Sequence, residues 1–332
     1  MIHVNAPALA GEFHRNFTRG VQFINKEKGS FTISAGAEKQ LRIALMESGW
    51  MMQGITLLDV DDGAGQAITL GDNSLHTGRS LNGRFNKPLA VNGTPYVLVE
   101  TDTCASLSYH QMSAIANLGG IEHFTRVVSD FFDRVMALDI LRIGFNGAFI
   151  SPETRPEKYP RGQDVNLGWH ALAKQFNGGS QVLTDAFTLG PGGHFPHLDA
   201  LANHLITEKI PEGFRDDPRL VVLVGAELAA MERLRLFMMA DKPADTAAAQ
   251  MATSSVAGRF AFVPPFMPGK RLAVTTLDNL HVYTQMNTRY FRAAFIDDRK
   301  VYEHSYLRNE GYALGDGYLY AAADENAVTL VQ

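Results

Sequence analysis

The sequence predicts an α+β fold, with helices and strands in separate stretches of the chain. Three observations predict it. Apolar residues recur at helical spacing along one long segment, Ile121 to Gly144. Strand-like runs crowd the C-terminal part, at Leu272 to Thr276, Leu280 to Tyr283 and Gly317 to Ala321. Between Asp61 and Pro95 the chain is rich in Gly, Asn, Asp and Thr and poor in core material.

From the start, residues 1 to about 37 are weakly patterned. Phe13, Phe17, Val21 and Ile24 fall three and four apart, the spacing of a short amphipathic helix. This arm needs a partner surface for Phe13 and Phe17. A second short helix is expected from Glu38 to Ser48, closed by Gly49. The run Ile55 to Val60 has strand character. The core-poor stretch follows, and a loop that long is rare inside a compact domain. It is either disordered or a projecting finger. Its ends, Ala67 to Leu70 and Tyr96 to Val99, are strand-like and can pair as the base of a hairpin. An isolated hairpin is marginal in water, so such a finger should lie on a neighbouring subunit. Its cations Arg79, Arg84 and Lys87 form either a solvated face or salt bridges with an adjacent subunit.

In the long helix Ile121, Phe124, Val128, Phe131, Phe132, Val135 and Leu138 share a face. At 1.5 Å per residue it is about 35 Å long. Glu122 near its start and Arg142 near its end suit the helix dipole. Asp164 is expected to cap a short helix carrying Val165, Trp169, Leu172 and Phe176. Leu198, Leu201, Leu205 and Ile206 mark another helix, stopped by Pro211 and Gly213. Leu220 to Val224 is a buried strand, Ala226 to Ala240 a helix, and Lys242 to Ala257 an exposed loop.

Composition narrows the function. The chain has 332 residues, 45% of them apolar, enough for one large or two modest cores. Its net charge of −5 argues against gripping DNA through a basic surface. Cys104 is the one cysteine, so no disulfide forms within the chain, and it reads as a small apolar residue. The opening Met1 to Asn5 carries no secretory pattern, and no apolar run approaches membrane-spanning length. A soluble protein of a reducing cytoplasm is expected.

Catalytic signatures are missing: no phosphate-binding glycine loop, no His-Glu-x-x-His, no paired cysteines, no Gly-x-Ser-x-Gly. The densest polar cluster is Gly190 to Asp199, with His204 beyond it. His194, His197 and Asp199 there are a candidate metal site or base with its orienter; otherwise they are solvated or capping residues of a loop that turns into a helix. Asp297 with Asp298, and Asp59 with Asp61 and Asp62, are turn acids, or else each group chelates a divalent ion or supplies paired carboxylates. Met231, Met238 and Met239 read as core or interface packing.

Five stretches in order carry a family resemblance. They are Ile143-Gly144-Phe145-Asn146-Gly147, Gln163-Asp164-Val165-Asn166-Leu167-Gly168-Trp169, Leu198-Asp199-Ala200-Leu201, Asp217 to Gly225, and Leu277-Asp278-Asn279-Leu280-His281-Val282-Tyr283. Phe31-Thr32-Ile33 and Met46-Glu47-Ser48 also fit. The chain resembles the major capsid proteins of P2-type tailed bacteriophages, which have the HK97-like fold. The likeness runs from about residue 31 to near the C-terminus, and Met1 to Ser30 aligns poorly.

The resemblance implies an N-terminal arm (1–54), an extended loop (55–102) and a peripheral domain with a long spine helix (103–164). It further implies an axial domain (165–275) and returning strands (276–332). The implied function is self-assembly into hexamers and pentamers of an icosahedral head that encloses the phage genome. Implied partners are other copies of the chain, a scaffolding protein with a protease able to trim the N-terminus, a portal protein, and in some heads a decoration protein. Packaged double-stranded DNA is contacted without sequence specificity, and no membrane is involved. The expected location is the virion, with assembly in the host cytoplasm. Inter-subunit contacts are expected at Arg79, Arg84, Lys87, Phe13 and Phe17; no catalytic, cofactor-binding or metal-binding residue is expected. Lysine–asparagine crosslinks of some related shells are not implied, because nothing around Asn86 and Lys87 matches a crosslinking motif. Two rival readings are an encapsulin-like container of the same fold and a metal-dependent enzyme using the His194 loop.

Overall fold

The computed structural model describes residues 22–25, 30–32, 50–69, 75–81, 83–86, 92–116, 121–239 and 255–331. The expected Glu38 to Ser48 helix, Lys87, Phe13 and Phe17 lie outside them.

One sheet is organised around the 14-residue strand Val301–Leu314. Strand Val99–Ser108 runs antiparallel along one of its edges. Leu280–Gln285 and Tyr290–Ile296 follow one another along its other edge, interrupted near Met286 to Arg289. Thr56–Val60 then joins Leu280–Gln285 in parallel, and Ser30–Thr32 joins Tyr290–Ile296. Gln22–Asn25 pairs with Ser30–Thr32 and completes the sheet. Ile24 therefore sits in a strand, where the apolar spacing predicted a helix. Pairing next to Tyr290–Ile296 overrides a weak local preference.

The second sheet has the order Ser255–Val256, Arg259–Phe262, Leu220–Val224, Leu272–Thr276, Ala321–Ala323, Val182–Leu183. Its central strands are buried on both faces. Leu220, Val222, Val224, Leu272 and Val274 face a core shared with Leu198, Leu201 and Leu205 of the helix Leu198–Lys209. Val221, Leu223 and Ala273 face the opposite core. That division is the period-two alternation of a strand.

The opposite core receives the spine helix, Ile121–Asn146, through Met136, Ala137, Ile140 and Leu141. It also receives Trp169, and Leu280, Val282, Tyr306 and Tyr312 of the first sheet. One continuous core thus joins the spine to both sheets. Further towards the helix start, Val128 and Phe132 pack with Leu107, Met112 and Tyr302 in a smaller cluster.

Three local expectations change. Helix Trp169–Gln175 begins at Gly168 without a side-chain cap, and Asp164 instead accepts from the Arg155 backbone N–H at 2.6 Å. Gly317 to Leu319 is a 3-10 turn because the Asp316 carboxylate accepts from Tyr318 N–H, so the strand is Ala321–Ala323. Ser255–Val256 pairs with Arg259–Phe262 where an exposed loop was expected, and residues 242–254 of that expectation lie outside the described residues.

Candidate functional site

The core-poor stretch contains a two-stranded ribbon, Ala64–Thr69 against Asn92–Val97, with Ala67 opposite Thr94. Its root is tied to the first sheet by several contacts. The Tyr96 ring stacks on Tyr283 at 4.3 Å and an interplanar angle of 14°. Ala67, Tyr96 and Leu98 pack with Tyr283 and Ala313. Asp59 pairs with Arg289, which lies between Leu280–Gln285 and Tyr290–Ile296. Met286 N–H donates to the Val60 carbonyl at 2.8 Å, and the Gln285 amide to that of Asp61 at 2.9 Å.

Beyond the ribbon the described residues have no regular structure and are largely exposed. Leu81 is fully exposed and Leu75 is 75% exposed. Phe85 lies across Gly78 so closely that a methyl there would collide with its ring. The two legs therefore run side by side at that point. Arg79 and Arg84 are the chain neighbours of this pair, both exposed, with no carboxylate partner among the described residues. The structure brings these two predicted residues to one part of the finger. An exposed leucine pair with two arginines is the composition of a surface awaiting a partner.

Beside the finger, the strand Val99–Ser108 hydrogen-bonds to one neighbour among the described residues. No described residue pairs with its second edge. Glu100, Asp102, Cys104 and Ser106 alternate on its exposed side. Burial, followed by the negative charges of Glu303 and Asp102, raises the Cys104 thiol pKa. Nothing in the residues of Val99–Ser108 marks which strand pairs alongside it.

The family-like stretches meet in space. A methyl on Gly144 would strike the Trp169 ring, and one on Gly168 would strike the Gly144 carbonyl. Trp169 Nε1 donates to the His281 carbonyl at 3.0 Å. Arg219 pairs with Asp217 at 2.7 Å and with Asp278 at 3.0 Å. Gly144, Gly168 and Trp169 form a joint at the end of the spine helix.

The Gly190 to Asp199 loop does not assemble a reaction centre. His194 Nδ1 accepts from Thr188 N–H at 3.1 Å. His197 Nδ1 accepts from Ala200 N–H and caps the helix Leu198–Lys209. Asp199 accepts from Ala257 N–H at 2.6 Å. His204 lies against the Phe195 ring. Capping and turn closure account for these side chains. Asp297 accepts from the Tyr109 hydroxyl at 2.8 Å. Met231 packs at the edge of a core, while Met238 is exposed.

A different trio, His170, Asp324 and Glu325, brings three potential ligand atoms within 4.8 Å of one another. Its carboxylates are already matched by cations. Lys174 pairs with Asp324, and Arg271 holds Glu325 at 2.7 Å while donating to the Phe145 carbonyl. Burial pushes the His170 imidazole down to about 4, although its bond to Asp324 opposes this. At Asp324 burial favours the neutral acid, but His170 and Lys174 outweigh it and hold the carboxyl well below the usual range. The cluster ties the C-terminal turn to the end of the spine helix.

Comparisons with known proteins agree with one another. A family described as phage major capsid protein, P2 family, matches residues 15–326. The capsid proteins of Escherichia phage P2 are 22% identical over 267 residues, covering 76% of this chain and 75% of theirs. The major capsid protein of Serratia phage KSP20 is 20% identical over 272 residues, with 77% of each chain covered. A chain in the solved procapsid of satellite phage P4, which includes the size determination (Sid) protein, superposes with a TM-score of 0.76. It is 19% identical, and the match covers 97% of this chain and 98% of that one. This likeness bears out the α+β, HK97-like fold.

Proposed function

The chain belongs to the P2 family of phage major capsid proteins, and from that premise we propose how its parts build a head. It is a structural protein that self-assembles into the phage capsid. In our reading the subunits form hexamers and pentamers of a closed icosahedral shell around the packaged double-stranded DNA. One chain must then make two kinds of ring, so its contacts flex slightly.

The exposed finger is the observation that supports this reading. It carries Leu75, Leu81, Arg79 and Arg84 away from the core, where they are exposed. In the shell it drapes over a neighbouring subunit, with Lys87 alongside, and the arm residues Phe13 and Phe17 bury themselves on other copies. Many modest contacts then add through multivalency. Residues 1–54 act as the arm, 55–102 as the extended loop and 103–164 as the peripheral domain. Residues 165–275 form the axial domain, and 276–332 return to complete both sheets.

We further assign a scaffolding protein with protease activity, a portal protein and, in some heads, a decoration protein as partners. Assembly takes place in the host cytoplasm, and the chain catalyses nothing. An encapsulin-like container shares the fold, but the relatives found are phage capsid proteins. The turn-closing role of His194 and the capping role of His197 weigh against the metal-enzyme reading.

The test is to express the chain with and without its scaffolding partner and view the products by negative-stain electron microscopy. Shells, tubes or capsomer rings are expected. A stable small oligomer that binds metal would overturn the proposal. Removing residues 72–88 should abolish closed shells while leaving the circular dichroism of the fold intact.

A further inference from the structure

Two of the family-like stretches, Asp217 to Gly225 and Leu277 to Tyr283, meet where the chain passes between the two sheets. It passes twice, side by side. Leu272–Thr276 leaves the second sheet and continues into Leu280–Gln285 of the first. Val301–Leu314 leaves the first sheet and continues into Ala321–Ala323 of the second. The partners stay the same across the passage, with Val274 opposite Ala321 before it and Leu280 opposite Leu314 after it. The four strands are thus one antiparallel ribbon, interrupted where Thr275 to Asn279 faces Gly315 to Tyr320.

Within the interruption a side chain makes the rung. Asn279 Oδ1 accepts from Asp316 N–H at 2.6 Å, and Asn279 Nδ2 donates to the Asp316 carbonyl at 3.0 Å. Two directly opposed residues of an antiparallel pair exchange the same reciprocal bonds. The Asn279 carbonyl also accepts from Gly315 N–H at 2.9 Å. Aspartate at 279 would lack the donor, and glutamine would hold both groups one methylene further out. Asn279 is 5% exposed, so water does not readily take its place.

The rest of the turn Leu277–Asn279 is tied to both sheets. The Asp278 carbonyl accepts from Thr56 Oγ1 of the first sheet at 2.7 Å. The Asp278 carboxylate pairs at 3.0 Å with Arg219, which directly precedes Leu220–Val224 of the second. Leu277 lies against Gly54, just before Thr56–Val60. Across the rung, the Asp316 carboxylate caps Tyr318 N–H and shapes the returning passage. One short turn therefore holds an element of each sheet, and Asn279 locks it to the chain that returns.

We propose that Asn279 is a positioning residue that fixes the angle between the two sheets, and through that angle the diameter of the shell the copies build. A small change of angle in each subunit recurs at every symmetry-related contact and so accumulates over the shell. The consequence for diameter rests on the shell reading; the rung itself does not.

Two measurements test this. In the unassembled full chain, hydrogen exchange read by fragment mass spectrometry should show the Gly315 and Asp316 amides at least a hundredfold slower than in an unstructured chain. Asn279→Ala should lose that protection at Asp316. Unprotected exchange at Asp316 in the parent would overturn the rung. In the second measurement, shells of the parent, Asn279→Ala, Asn279→Gln and Val128→Ala are sized by electron microscopy. Val128 lies in the separate cluster towards the start of the spine helix, so its truncation is a control for lost stability alone. Asn279→Gln keeps both amide groups and remains informative if Asn279→Ala does not fold. At a temperature where circular dichroism shows the variants folded, both Asn279 variants should at least double the spread of shell diameters. Val128→Ala should match the parent. A parent-like spread in the folded Asn279 variants, or equal broadening in Val128→Ala, would overturn the control of diameter. A parent chain that builds no shell would remove the shell reading, while the exchange measurement would still decide the rung.

Discussion

Arg308 and Glu310 form an ion pair at 2.6 Å inside the first sheet, with 3% of each side chain exposed. They lie two residues apart and so share the inner face of Val301–Leu314. Arg308 also donates to Thr103 Oγ1 at 2.9 Å and lies 4.7 Å from the Tyr306 ring centre. Removing one member strands the other charge in the core. Glu310→Leu should therefore cost about 3–5 kcal/mol. The double variant Arg308→Met/Glu310→Leu should recover more than about 2 kcal/mol of that loss. Urea unfolding of the purified soluble chain measures both, and additive losses would contradict the coupling.

His304 lies on the same inner face, between the rings of Phe132 at 4.5 Å and Phe291 at 5.7 Å. Burial pushes its imidazole down to about 4. Its folded pKa is below the unfolded value near 6.5, so protonation favours the unfolded chain. The stability it contributes is complete above about pH 6.5 and declines as pH falls towards 4. Between pH 7.5 and 5 this amounts to about 2 kcal/mol. His304→Leu should lose correspondingly less stability over that interval. An identical pH dependence in the variant would remove His304 as the cause.

Gly144 lies in the spine helix against the Trp169 ring. Glycine to alanine inside a helix ordinarily gains roughly 1 kcal/mol. Here the added methyl drives into the indole, and overpacking costs about 1–3 kcal/mol. Gly144→Ala should therefore lower the melting temperature. With Trp50→Phe as background, Trp169 emission should shift as its bond to the His281 carbonyl is displaced. A rise in melting temperature would show that the joint yields freely.

The spine helix was legible because its core-facing residues are apolar and recur at helical spacing. The Leu220–Val224 strand was legible as a bounded apolar run. The longest strand, Val301–Leu314, was not. Its buried positions include His304, Arg308 and Glu310, so hydropathy does not alternate where burial does. Charges satisfied within a core hide a strand from any pattern based on polarity. The finger was legible as missing core material, and Arg79 and Arg84 do stand exposed on it. The pairing of Val99–Ser108 was not, since it depends on what lies alongside, which one strand's residues do not encode.

Tyr96 is where the finger's mechanical footing can be separated from its contacts. The ring stacks on Tyr283, and the chain on either side belongs to the ribbon or to the strand Val99–Ser108. Tyr96→Ala removes the stack and much of the small root cluster with Ala67 and Leu98. The loss of folding stability should be about 2–4 kcal/mol, since the site is near the surface of the core. The effect on assembly should be larger, because a finger with a loose root pays extra ordering entropy at every inter-subunit contact. Shell yield by sedimentation should fall at least tenfold at a temperature where the variant remains folded. Tyr96→Phe keeps the ring and should assemble like the parent. If Tyr96→Ala assembled as well as Tyr96→Phe at equal soluble concentration, a rigid root would not be needed for the finger to engage its neighbour.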